Sequence, residues 1–137
     1  MSRNILILGG ARSGKSRFAL KLGNAETGKK VYLATAEALD AEMAARIEQH
    51  RRERGEGWQT IEEPRRLSET LQSLEGRADV VLLDCLTLWL SNVMMETADP
   101  QKITLIFEQI MNTVAKLKIT LIAVSNEVGQ GIVPIDA

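Results

Sequence analysis

The residues best suited to chemistry gather near the N-terminus, where Gly9-Gly10-Ala11-Arg12-Ser13-Gly14-Lys15-Ser16 fits the pattern Gly, four residues, Gly, Lys, Ser. Such a loop holds a nucleotide's phosphates when a strand precedes it and a helix follows, because backbone N–H groups and the helix N-terminus then converge on the anion. In that setting Gly9 and Gly14 admit close backbone approach, Lys15 reaches the β- and γ-phosphates, and the Ser16 hydroxyl ligates Mg²⁺. The competing reading is a glycine-rich surface turn. Asp84 follows four apolar residues and suits either the carboxylate that helps hold Mg²⁺ at the end of a buried strand or the N-cap of the helix after it.

His50 is the sole histidine, set among Arg46, Arg51, Arg52 and Arg54. By position it could edge the core after Met43 and Ile47, or sit at a helix C-terminus where the dipole favours a cation. It could also be a nucleophile: nearby cations favour an uncharged imidazole, and the same cations could hold a polyphosphate leaving group. Trp58 and Trp89 read as core residues rather than base-stacking platforms, and Cys85 as a small buried hydrophobe.

These residues need positioning elements, and the hydrophobic pattern supplies them. Ile5–Leu8 and Val80–Leu83 read as strands buried on both faces, with further strands at Val31–Thr35, Trp58–Glu62 and Ile119–Val124. Helical spacing begins at Lys15 and stops at Gly23-Asn24; Asp40 caps a second helix ending in Arg51-Arg52-Glu53-Arg54 and Gly55. Pro64 opens a helix carrying Leu67, Leu71 and Leu74, another runs through Trp89 and Val93, and Asp99-Pro100 starts a longer one from Ile103 to Leu117. Strands alternating with helices predict an α/β fold of the P-loop NTPase kind, three layers around a mainly parallel sheet.

The chain's 137 residues predict one domain spanning 1–137, and 45% hydrophobic with 26% charged residues is an ordinary globular mixture. Seventeen basic against eighteen acidic residues leave a net charge of −1, so no overall field draws the protein to nucleic acid or anionic lipid. A single cysteine excludes an internal disulfide and suits a reducing cytoplasm; no stretch is long and apolar enough for a membrane span or export signal. The Asn-Lys-x-Asp motif of signalling GTPases does not occur, and no nucleoside-kinase lid is evident. The residues by themselves leave open a P-loop kinase for some small molecule, with His50 structural, and a nucleotide-binding module without turnover.

The phosphate loop together with Ala34-Thr35-Ala36, the segment Asp40 to Arg54, Trp58 to Glu62, Asp84-Cys85-Leu86-Thr87 and Asn126-Glu127-Val128-Gly129 through Pro134 resembles the bifunctional adenosylcobinamide kinase and adenosylcobinamide-phosphate guanylyltransferase family of cobalamin synthesis. The resemblance implies two reactions, phosphorylation of adenosylcobinamide and then transfer of GMP from GTP to adenosylcobinamide phosphate through a guanylylated histidine. It implies ATP and GTP as substrates with Mg²⁺, a cytoplasmic homo-oligomer, by family habit a trimer, and no nucleic-acid partner or membrane insertion. His50 matches the guanylylated histidine and, with Lys15, is the expected catalytic residue. Nucleotide contacts are expected at Gly9, Gly10, Ala11, Arg12, Ser13, Gly14, Lys15, Ser16, Ala34, Thr35, Ala36, Arg51, Arg52, Glu53, Arg54, Glu62 and Asp84, and metal contacts at Ser16 and Asp84. Family members continue past the Val133-Pro134 segment, so the chain reads as C-terminally truncated, with an open sheet edge beside its last strand.

Overall fold

The computed structural model describes residues 3–9 and 14–126. Five strands, β1 (Asn4–Gly9), β2 (Lys30–Ala34), β3 (Trp58–Glu62), β4 (Val80–Asp84) and β5 (Thr120–Asn126), form one sheet in the order β1-β5-β4-β2-β3. Every neighbouring pair is parallel. The helices are α1 (Lys15–Asn24), α2 (Ala41–Arg54), α3 (Leu67–Leu74), α4 (Leu86–Glu96) and α5 (Pro100–Lys116). The α/β class, the parallel sheet and its three layers are as the alternating pattern predicts.

Strand alternation divides the core in two. Val31, Leu33, Val81, Leu83, Leu121 and Ala123 face α3, α4 and α5, whereas Val80, Leu82, Ile122 and Val124 face α1 and Trp58. On the first side Trp89 meets Phe107 edge to face at 5.9 Å, and its indole N–H donates to the Arg65 carbonyl at 2.8 Å. On the second, Trp58 donates to Asn24 Oδ1 at 2.9 Å across the end of α1. Both tryptophans are core residues.

Four local expectations are corrected. Among the described residues the last strand, β5, lies between β1 and β4 and so has no open sheet edge beside it; the edges belong to β1 and β3. β1 is not buried on both faces: it is an edge strand, Ile5 and Ile7 pack toward α1, and Leu6 and Leu8 are 57% and 54% exposed. α3 begins at Leu67 rather than at Pro64, because the Glu63 carboxylate accepts from the N–H groups of Arg65 and Arg66 at 3.1 and 3.0 Å and holds that segment in a turn. Asp84 does not cap α4; that position is taken by Cys85, whose sulfur accepts from Leu88 N–H at 3.4 Å. Cys85 is buried, as expected, and burial pushes its thiol pKa up.

Candidate functional site

The site lies at the carboxyl ends of the strands, where ligands bind in open parallel sheets. Gly14 adopts φ +80°, the left-handed region that glycine enters without penalty, and turns the chain into α1. Among the described residues no side-chain hydrogen bond caps that helix, and a bare helix N-terminus is where an anion binds. Lys15 is buried and Ser16 exposed at the start of α1. Gly10, Ala11, Arg12 and Ser13 of the loop lie outside the described residues.

Asp84 ends β4 and is half-buried, with Ser16 Oγ at 3.4 Å from its Oδ2. The same oxygen accepts from the Tyr32 hydroxyl at 2.5 Å. Register explains that contact: Tyr32 pairs with Leu82 and Ala34 with Asp84, so Tyr32 and Asp84 are diagonal neighbours on one face of the sheet. Burial first, then the Asp84 charge, pushes the Tyr32 hydroxyl far above its ordinary range, so it remains a proton donor. On the same face, Thr60 of β3 lies opposite Tyr32 and accepts from Arg54 Nη2 at 2.9 Å. The Arg54 guanidinium sits 3.5 Å from the centre of the Tyr32 ring.

Asp40 caps α2 as expected, accepting from Met43 N–H at 2.7 Å, and Gly55 ends it. His50 is exposed on this helix and lines a cavity of about 290 Å³ together with Gly14, Lys15, Ser16, Tyr32 and Arg54. A neighbouring cavity of about 200 Å³ shares Tyr32, His50 and Arg54 and adds Ala34, Ala36 and Asp84. The fold thus brings the loop lysine and serine, the strand-end carboxylate and the histidine to one place.

Other expected contacts are arranged differently. The Thr35 hydroxyl is fully buried and engaged with Cys85, donating to its carbonyl and accepting from its N–H, both at 2.9 Å. Asn92 Nδ2 donates to the carbonyls of Thr35 and Pro64 at 2.9 and 3.0 Å, which fixes the segment carrying Ala34 and Ala36. Arg51 and Arg52 are exposed and pair with Glu48 on their own helix; the Arg51 contact holds the Glu48 carboxyl below the usual range. Glu53 lines the first cavity, and exposed Glu62 ends β3 opposite Ala34. Gly9 ends β1, paired with Asn126. Thr87 joins the start of α4 to the end of β5, accepting from Asn126 N–H at 2.9 Å and donating to its carbonyl. The segment from Glu127 to Pro134 lies outside the described residues.

Residues 5–137 match the family model described as cobinamide kinase / cobinamide phosphate guanyltransferase. The chain belongs to that family. It is 48% identical over 131 residues to the bifunctional adenosylcobalamin biosynthesis protein CobP of Pseudomonas aeruginosa, a match covering 95% of this chain and 75% of the relative. The corresponding CobU proteins of Escherichia coli and Salmonella typhimurium are 38% and 37% identical, each match covering 95% of this chain and 78% of theirs. Family and relatives agree with the fold that the residues predict and with the activities that the resemblance implies: a kinase and guanylyltransferase on a P-loop NTPase-like fold. Among the described residues no helix is long and apolar enough to cross a membrane.

Sequence reasoning missed Tyr32 and Thr60. A tyrosine within the otherwise apolar Val31–Ala34 stretch was the available signal, since a buried phenol needs a partner for its hydroxyl.

Proposed function

We propose that this family member phosphorylates adenosylcobinamide and then transfers GMP from GTP to the resulting phosphate, with His50 as the covalent carrier and Lys15 as the principal phosphate-stabilising cation. The observation that carries this reading is a cavity lined by both Lys15 and the sole histidine. In the kinase reaction the substrate hydroxyl oxygen attacks the γ-phosphorus, the bond to the β–γ bridging oxygen breaks, the nucleoside diphosphate departs with the electron pair, and the hydroxyl proton passes to water. In the second reaction an imidazole nitrogen of His50 bonds to the α-phosphorus of GTP and pyrophosphate leaves. The imidazole gives up its N–H proton to water. A phosphate oxygen of adenosylcobinamide phosphate then attacks the same phosphorus, the N–P bond breaks, and the imidazole recovers its proton.

Ser16 and Asp84 fit Mg²⁺, because a hydroxyl and a carboxylate within 3.4 Å of each other are hard oxygen donors, and Mg²⁺ takes only one or two protein ligands beside phosphate and water. When bound, the ion would neutralise developing phosphate charge. Lys15 does so from the protein, a buried ammonium whose attraction to phosphate strengthens where water is excluded. A cytoplasmic homo-oligomer, a trimer by family resemblance, belongs to this reading; exposed Met95, Leu105 and Met111 on α4 and α5 are apolar surface of the kind subunit contacts bury.

The test supplies adenosylcobinamide, Mg²⁺ and ATP or GTP and follows the cobinamide products by mass. Phosphate ester with ATP alone, and the GMP-bearing product once GTP is added, are expected. Nucleotide hydrolysis with unmodified adenosylcobinamide would favour a kinase for another small molecule, and binding without turnover a nucleotide-binding module.

A further inference from the structure

The helix that carries His50 is weakly held. None of the 14 residues of α2 is buried, and only Met43, Ile47, Glu48 and Arg54 are as much as half-covered. Its ion pairs, Glu42 with Arg46 and Glu48 with Arg51 and Arg52, lie within the helix at exposed positions, where such pairs contribute little and anchor nothing to the sheet. Arg54 differs. Its guanidinium stacks on the Tyr32 ring at 3.5 Å, its Nη2 donates to Thr60, and its Nε is buried without a hydrogen-bond partner among the described residues. An arginine desolvated against an aromatic face gains more from the contact than one in water, and the flat guanidinium suits it where an ammonium does not. Arg54 also lies four residues after His50, one turn along the same face of the helix.

We propose that Arg54 and Tyr32 are positioning residues: their stack pins the last turn of α2 to the sheet and so holds His50 facing Lys15 and Ser16. Tyr32 extends the same linkage to Asp84 through its hydroxyl, so the histidine helix and the strand-end carboxylate share one support. The effect on guanylyl transfer rests on His50 being the carrier; the pin itself does not. Misplacement of a reacting group by about 1 Å can cost on the order of 100-fold in rate, so losing the pin should slow transfer without abolishing nucleotide capture.

Arg54→Lys and Tyr32→Leu test this, with Tyr32→Phe as the variant that keeps the ring. The rate of protein labelling from α-labelled GTP is measured across GTP concentrations. The first two variants should lose roughly 10- to 100-fold in rate at saturation while half-saturation moves less than about threefold. A raised half-saturation with an unchanged maximal rate would mean that Arg54 grips the nucleotide directly, and would overturn the proposal. The second readout needs no turnover: His50 is the sole histidine, so its ring NMR signals are unambiguous in the nucleotide-free protein. They should move toward those of a free histidine in Arg54→Lys and Tyr32→Leu and stay in place in Tyr32→Phe. Signals unmoved in Arg54→Lys refute the pin even if Tyr32→Leu does not fold. Moved signals in a protein whose parent never labels support the pin and refute the covalent histidine.

Discussion

Lys15 places a buried cation at the first turn of α1, beside Ser16 and the cavity that His50 shares. If Lys15 holds phosphate as proposed, replacing it by alanine removes a charge-assisted contact, and by analogy with other transition-state donors kcat/KM for adenosylcobinamide phosphorylation should fall about 100-fold or more. Parent-like turnover in Lys15→Ala would show that the loop does not do this work. Tyr32 makes a prediction about pH. Its hydroxyl titrates higher in the folded protein than the ordinary value of 10.0, so the folded form keeps its proton where the unfolded form loses it. Stability should therefore be unaffected by this group below that value and decline as pH rises above it. The chain's only tyrosine should show phenolate absorbance only as the protein unfolds, and Tyr32→Phe should flatten the decline. Phenolate forming at its ordinary pH in the folded protein would contradict the half-buried bond to Asp84. Lys15, Ser16, Asp84 and His50 were legible in the sequence because a local motif, a strand end and a single histidine mark them. Tyr32 and Thr60 were not, because their roles depend on which strands pair and in what register.

Among the elements, α1 shows why local propensity alone misleads. Gly23 lies inside this helix, where alanine would ordinarily add up to about 1 kcal/mol. A Cβ there would come within 2.6 and 2.8 Å of the Trp58 ring, whose indole is held by Asn24. The clash should win: Gly23→Ala is expected to destabilise by about 1–3 kcal/mol in urea unfolding, the usual range for overpacking. A stabilised variant would show that Trp58 can move aside at little cost. The boundaries of α2 and α5 could be read directly, since Asp40 and Asp99 accept from the N–H groups of Met43 and Gln101 as capping residues should. The solvent-facing half of β1 could not: Ile5–Leu8 is as apolar as Val80–Leu83, and only the order β1-β5-β4-β2-β3 makes one an edge and the other central.

At the scale of the whole molecule, the described residues beside that edge line an apolar groove of about 550 Å³, among them Leu6, Phe107, Met111, Val114 and Leu121. We propose that bringing Lys15 and Ser16 of α1 and His50 of α2 to one cavity lets one protein serve both as kinase and as guanylyl carrier. The most direct measurement is incubation with GTP labelled on its α-phosphate, followed by denaturation and treatment with acid or alkali. Label on the parent protein is expected to survive alkali, to be released by acid as a phosphoramidate should be, and to be absent from His50→Asn. Label that resists acid, or that persists in His50→Asn, would overturn the covalent histidine.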